Sequence, residues 1–203
     1  KVINNTKFYT IIGKEEIKPY VDFEEFDYHA FYDQLRKGVM PTTCALSPYD
    51  YINYFEPVFA NGDDILYVHF SKAMSGTFNA MNLAYEELKE KYPDRKLYTI
   101  DTKGITILSY NIVKEIGELY LQGKTVEEII EWSNKEIDHF ATYFFADNLK
   151  FFGRSGRISN FSSIMGNIIG IKPIIYMDDK GTMTNIGKER GRNSATNKLI
   201  QYF

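Results

Sequence analysis

Residues 65–85, ILYVHFSKAMSGTFNAMNLAY, decide the fold. Ile65, Leu66, Tyr67, Val68 and Phe70 make the short apolar run that a strand covered on both faces requires. Phe78, Met81, Ala84, Tyr85 and Leu88 then recur at helical spacing, so the segment predicts strand, turn and helix start. The turn, SKAMSGT, is rich in small hydroxyls. A helix N-terminus carries unpaired N–H groups and the positive end of the helix dipole, which makes Ser75, Gly76 and Thr77 candidates to hold an anion such as a carboxylate. The competing reading is a plain helix cap.

Composition bounds the partners. A chain of 203 residues suits one large domain or two small ones and buries roughly 70% of its unfolded surface. With a net charge of -3 it has no general attraction to nucleic acid or to anionic membranes. The 16 Tyr and 15 Phe suit an apolar ligand cavity, although any single ring reads first as core or surface filler. Cys44 is the one cysteine, so no intrachain disulfide forms and a reducing, cytoplasmic setting is expected. No run of about 18 apolar residues occurs, and the first residues lack a signal-peptide pattern, so neither membrane insertion nor an export signal is expected. Beginning at Lys1 and stopping inside a helical pattern at LIQYF, the chain reads as a fragment.

Upstream, Lys7 to Ile12 and Ile17 to Val21 flank Gly13-Lys14-Glu15-Glu16 as a hairpin, and Asp27 caps a helix that ends before Gly38. MPTTCALSP reads as a loop whose Ser47-Pro48 starts another helix, which Pro57 is expected to kink or end. Downstream, Lys96 to Ile100 is a second buried strand, and Ile105, Leu108, Ile112, Ile116 and Leu119 mark a helix closed by Gly123. Thr125-Val-Glu-Glu128 is a capping box. From Ala141 the pattern changes to a strand ATYFFAD, the stretch FFGRSGRIS, a short helix FSSIMGNIIG and two strands, IKPIIYM and TMTNIGK, around an Asp178–Gly181 turn. The expected fold class is therefore α/β, with a parallel α/β domain over residues 1–140 and part of a second, mixed domain over 141–203.

The other chemistry-bearing residues are less telling. His29, His69 and His139 are isolated, with no Cys or second His at ligand spacing, so no metal or cofactor is expected. Ser75 lacks the first glycine of a G-x-S-x-G elbow. A small serine hydrolase using Ser75 or Ser71 is thus the alternative reading, not the leading one. Gly153-Arg154-Ser155-Gly156-Arg157 lacks phosphate-loop spacing, and both a solvated turn and an anion-meeting patch remain open. Lys188-Glu189-Arg190-Gly191-Arg192 reads as a solvent-facing strand end.

Taken in order, PTTCALSP, the Ser75-Gly76-Thr77 turn, GRIS at Gly156–Ser159, IKPII at Ile171–Ile175 and GKERGR at Gly187–Arg192 resemble the DegV family of bacterial fatty-acid-binding proteins. The resemblance covers nearly the whole chain. It implies a two-domain α/β carrier, not an enzyme, that buries the acyl chain of a long-chain fatty acid between its domains. The same resemblance puts the carboxylate contacts on Thr43 and Ser75. It also implies a partner, a separate fatty acid kinase subunit similar to dihydroxyacetone kinases, which converts the bound acid to an acyl phosphate for lipid synthesis. Arg157, with Arg190 and Arg192, is then expected to face the kinase or the transferring phosphate. Two departures stand out. The family's opening strand with its Asp-Ser-Thr turn and the remainder of its C-terminal domain have no counterpart here. The Ser-Gln-Pro that follows the first-loop threonine is replaced by Cys44-Ala45-Leu46.

Overall fold

The computed structural model describes residues 2–3, 9–12, 15–17, 27–147, 150–159 and 170–202. Its strands are β1 (Val2–Ile3), β2 (Tyr9–Ile12), β3 (Glu15–Ile17), β4 (Thr42–Cys44), β5 (Ile65–His69), β6 (Leu97–Asp101), β7 (Tyr143–Phe145), β8 (Ile158–Ser159), β9 (Ile171–Met177) and β10 (Met183–Arg190). Its helices are α1 (Tyr28–Arg36), α2 (Pro48–Ala60), α3 (Thr77–Lys91), α4 (Thr106–Leu121), α5 (Val126–Glu136), α6 (Lys150–Ser155) and α7 (Arg192–Ile200). Among the described residues the strands form three sheets, ordered β1-β5-β6, β3-β2-β4 and β7-β9-β10-β8. Two compact units result, Lys1–Tyr67 with Ser75–Tyr98, and Val68–Met74 with Thr99–Phe203. The division falls inside β5 and β6, which each supply residues to both units.

In the first unit, β1 runs parallel to β5, pairing Val2 with Leu66 and Ile3 with Tyr67. All five residues of β5 are buried, as a strand covered on both faces demands. Helix α2 starts as its sequence dictates: the Ser47 hydroxyl accepts from the Asp50 N–H, the Asp50 carboxylate accepts from the Ser47 N–H, and Pro48 occupies the first turn. From this start α2 buries Tyr51, Phe55, Val58 and Phe59. Tyr51, Phe55 and Tyr67 meet with ring centroids 5.7–6.2 Å apart, a mutual edge-to-face and tilted cluster. Burying each such ring contributes about 1.5–3 kcal/mol, so this cluster anchors α2 to β5. Helix α3 adds Phe78, Met81, Ala84 and Leu88 at the spacing read from the sequence.

Three local expectations change. Helix α2 continues to Ala60, so Pro57 does not end it; Pro57 and Asn53, four residues earlier, are both exposed, and the carbonyl that loses its N–H partner can turn to water. The segment read as a loop around Thr43 contains β4, antiparallel to β2 with Thr43 opposite Thr10. The hairpin strand β3 begins at Glu15, opposite Ile12, and is thus two residues earlier than expected.

The second unit carries α4, which buries Leu108, Ile112 and Ile116, and α5, whose Thr125–Glu128 capping box is present in full. Its sheet is mixed: β9 is antiparallel to both β7 and β10, while β8 is parallel to β10. The parallel layer and the mixed sheet expected from the sequence are both present. Part of GRSGRIS is helical, as the end of α6, and the helix expected over FSSIMGNIIG lies outside the described residues. Asp178 closes the β9–β10 turn by accepting from the Lys180 and Thr182 N–H groups and from the Thr182 and Thr184 hydroxyls, and these bonds outweigh burial to lower its pKa.

Gly181 in that turn has φ +75°, and a Cβ there would lie 2.2 Å from Ser71 Oγ and 3.1 Å from Lys103 Cα. Gly181→Ala therefore combines left-handed strain with overpacking and is expected to lower unfolding stability by roughly 2–4 kcal/mol, read by urea denaturation. A second expectation concerns His69, which is 5% exposed; its Nδ1 lies 2.7 Å from the Phe70 carbonyl oxygen and 4.0 Å from Asp101. Burial lowers the imidazole pKa, against the opposing pull of the Phe70 carbonyl and Asp101. The folded state therefore prefers the neutral ring. Stability is full above about pH 6.5, the unfolded value, and falls as pH drops through it towards the lowered folded value. Thermal melts between pH 7.5 and pH 5 should show this slope, and His69→Gln should flatten it.

Candidate functional site

The chain leaves β5 through a turn in which hydroxyls replace regular backbone pairing. Ser71 N–H donates to the Gly104 carbonyl at 2.8 Å, and a 3-10 turn over Lys72–Met74 follows. The Ser71 side chain is 0% exposed, donates its proton to the Gly181 carbonyl at 2.6 Å and accepts from Ala73 N–H at 3.2 Å. A hydroxyl whose proton is committed to a backbone carbonyl, with no solvent access, serves as a structural tie and not as a nucleophile.

Ser75 sits in a different position. It is half-buried, and its Oγ accepts from Thr77 N–H at 3.2 Å, which satisfies one of the orphan amides at the start of α3. A hydroxyl that accepts in this way retains its own O–H as a donor. Gly76 is the N-cap of α3, with no side chain of its own to cap the helix, and among the described residues a Cβ placed on it would meet nothing within 4 Å. Among the described residues, the space at Gly76, beside Ser75, is therefore open. Thr43 is exposed on β4, its position set by backbone pairing with β2.

Thr77 is the third hydroxyl, and it points inward. It is 0% exposed; its Oγ1 accepts from Leu46 N–H at 3.2 Å and lies 3.0 Å from the Tyr51 hydroxyl. Burial raises the Tyr51 pKa, while the hydrogen bond to Thr77 pulls it down. Thr43 and Ser75 are thus the reachable alcohols of the expected set, and Thr77 is an interior one. Tyr51 carries no sequence signal of a polar role: at its spacing with Phe55, Val58 and Phe59 it reads as one more apolar ring of α2.

The arginines lie on the second unit. Arg157 is exposed, with Nη1 donating to the Ser155 carbonyl at 2.6 Å and Nε to the carbonyl of Met74, the residue before Ser75, at 3.4 Å. Two of its five N–H donors are spent on these carbonyls. Arg190 is exposed at the end of β10, and Arg192 opens α7 with its guanidinium 3.6 Å from Asp147. Among the described residues no three His, Cys, Asp or Glu side chains gather as a metal site, and no helix is long and apolar enough to cross a membrane.

Known proteins share this arrangement of elements. A DegV domain-containing protein of Clostridium perfringens is 36% identical over 172 residues, 85% of this chain and 59% of the relative. One of Clostridium acetobutylicum is 32% identical over 185 residues, 91% of this chain and 64% of the relative. The chain thus spans about 60% of the length of these curated relatives. Among solved structures, a stearic acid-binding protein of Eubacterium ventriosum superposes with a TM-score of 0.83 at 20% identity, over 97% of this chain and 67% of that one. A DegV family protein of Thermus thermophilus described for fatty acid binding gives 0.81 at 24%, over 98% and 68%. The Fatty Acid Kinase (Fak) B3 protein of Streptococcus pneumoniae, loaded with linoleic acid, gives 0.77 at 20%, over 97% and 68%. At these identities the structural likeness establishes the fold. The sequence pattern of the family described as "Uncharacterised protein, DegV family" matches residues 9–203. On that near-complete match, this chain belongs to the DegV family.

Proposed function

We propose that this chain binds a long-chain fatty acid, with the acyl chain buried and the carboxylate held by Thr43, Ser75 and the backbone amide of Gly76. The observation that carries the reading is Ser75: a half-buried alcohol with its O–H still available as a donor, beside open space over Gly76 at the start of a 15-residue helix. A carboxylate accepts from such donors and is favoured by the positive end of the helix dipole. Support also comes from the stearic and linoleic acids named for the solved structural neighbours of Eubacterium ventriosum and Streptococcus pneumoniae.

The chain's role in this reading is that of a cytoplasmic carrier. A separate kinase subunit, resembling dihydroxyacetone kinases, transfers the γ-phosphoryl group of ATP to a carboxylate oxygen of the bound acid, giving an acyl phosphate and ADP. Arg157, Arg190 and Arg192 supply cationic surface for the kinase or the transferring phosphate. The competing hydrolase reading loses Ser71, whose proton is held by the Gly181 carbonyl. Affinity and orientation separate cleanly: each buried methylene contributes about 0.8 kcal/mol, so the tail dominates affinity while the alcohols fix the head group.

Organic extraction of the full-length protein purified from bacteria, followed by mass spectrometry, should recover a long-chain fatty acid, and an empty extract would count against the reading. Ser75→Ala is expected to weaken carboxylate binding by about 1–3 kcal/mol, the range for an unpaired charged acceptor. Phosphorylation by the kinase should fall more than lipid retention does. Unchanged phosphorylation in Ser75→Ala would remove Ser75 from the carboxylate site.

A further inference from the structure

Thr77 bonds to both segments that carry the proposed head-group donors. Its backbone N–H donates to Ser75 Oγ at 3.2 Å, so it holds one proposed carboxylate donor directly. Its side-chain Oγ1 accepts at 3.2 Å from the N–H of Leu46, three residues after Thr43, and so it also holds the segment that carries the other. The Tyr51 hydroxyl, 3.0 Å from the same oxygen, fixes that side chain from helix α2. Thr77 is 0% and Tyr51 2% exposed, so neither hydroxyl is available to a ligand.

The proton arrangement follows from what each oxygen must do. Leu46 N–H donates to Thr77 Oγ1, which leaves the Thr77 proton to point at the Tyr51 hydroxyl 3.0 Å away. In this order the Leu46 amide and both hydroxyls are satisfied by a single chain of bonds, which a buried polar network requires. The Tyr51 ring is itself packed against the rings of Phe55 and Tyr67, at centroid distances of 5.7 and 6.2 Å, so its oxygen is a fixed point and not a swinging one.

We propose that Thr77 is a positioning residue and Tyr51 its anchor: the buried Leu46–Thr77–Tyr51 clasp sets the Thr43 segment against the Ser75 turn so that both alcohols meet one carboxylate. Resting on the fatty-acid reading above, this assigns Thr77 to head-group selection through Ser75 and Thr43, without contact to the ligand. The clasp therefore governs discrimination between a carboxylate and a neutral head group, while the acyl chain is bound regardless.

The test compares affinities of the full-length protein for palmitate and for the alcohol of the same chain length, both by displacement of a fluorescent fatty acid. Variants are Thr77→Val, which keeps shape but removes the hydroxyl, Thr77→Ser, which restores it, and Tyr51→Phe, which keeps the ring. Thr77→Val is expected to lower the acid-over-alcohol preference about tenfold, the scale of one charge-assisted hydrogen bond, with alcohol affinity changing less than about threefold. Thr77→Ser should recover the preference. Tyr51→Phe should reduce it by at least about threefold and decides the matter if Thr77→Val does not fold. Equal losses for acid and alcohol in the folded variants, or an unchanged preference, overturn the clasp while leaving the fatty-acid reading intact. A wild-type protein without preference for the acid overturns both.

Discussion

Strand β5 has no exposed residue, and the chain that leaves it must satisfy its polar groups immediately, within a turn too short for regular pairing. The three hydroxyls of that turn divide the work. Ser71 is buried and bonded to the Gly181 carbonyl in one unit; Thr77 is buried and bonded to the Leu46 amide in the other. Ser75, between them, is left half-buried with its proton uncommitted among the described residues. Burying hydroxyls without partners costs about 1–3 kcal/mol each, so the two outer ones are held in place by energetic necessity. The middle one is held in place by its neighbours, and an alcohol positioned at no cost to itself is what a reusable binding site requires.

Much of this was legible in the sequence where the cause is local. Four consecutive apolar residues from Ile65, with Phe70 two beyond, announce a covered strand, and Ser47 with Asp50 and Thr125 with Glu128 announce capping boxes, because each signal is complete within four to six residues. What was not legible depends on distant partners. Strand β4 pairs with β2, some thirty residues earlier, and two threonines between Pro41 and the Ser47-Pro48 helix start are too short a run to announce a strand alone. Pro57 reads as a stop, but on an exposed helix face the carbonyl that loses its partner can turn to water, and the buried Val58 and Phe59 carry the helix on. Likewise Thr77 looks like a ligand donor in sequence, whereas its hydroxyl is spent on Leu46 and Tyr51, residues that no spacing rule connects to it.

In the proposed site, alcohols in place of cations at the head group have a chemical consequence. A buried lysine or arginine facing a carboxylate would form an ion pair that is strong and slow to break, and would hold an acyl phosphate, with its greater charge, more tightly still. Neutral hydroxyls and amides orient a carboxylate through charge-assisted hydrogen bonds while contributing less to affinity, so affinity is left to the hydrocarbon tail. Among the proposed cationic residues, Arg157 and Arg190 are exposed, and Arg192 is exposed beside Asp147. Exposed guanidiniums exchange partners quickly and are screened by salt, which suits a transient encounter with a phosphate or a kinase surface better than permanent retention.

Arg157 is the one of the three with a geometric link to the turn. Its Nε–H donates to the Met74 carbonyl, so the guanidinium is tethered to the residue that immediately precedes Ser75. The bond is long, 3.4 Å, and the side chain is exposed, so this tether orients the group without locking it. Nη1 is spent on the Ser155 carbonyl, and the remaining N–H groups form the planar edge by which a guanidinium meets two phosphate oxygens at once. Replacement by lysine would keep the charge but lose both the carbonyl tether and the bidentate edge, so the geometry at this position depends on arginine and not on positive charge alone.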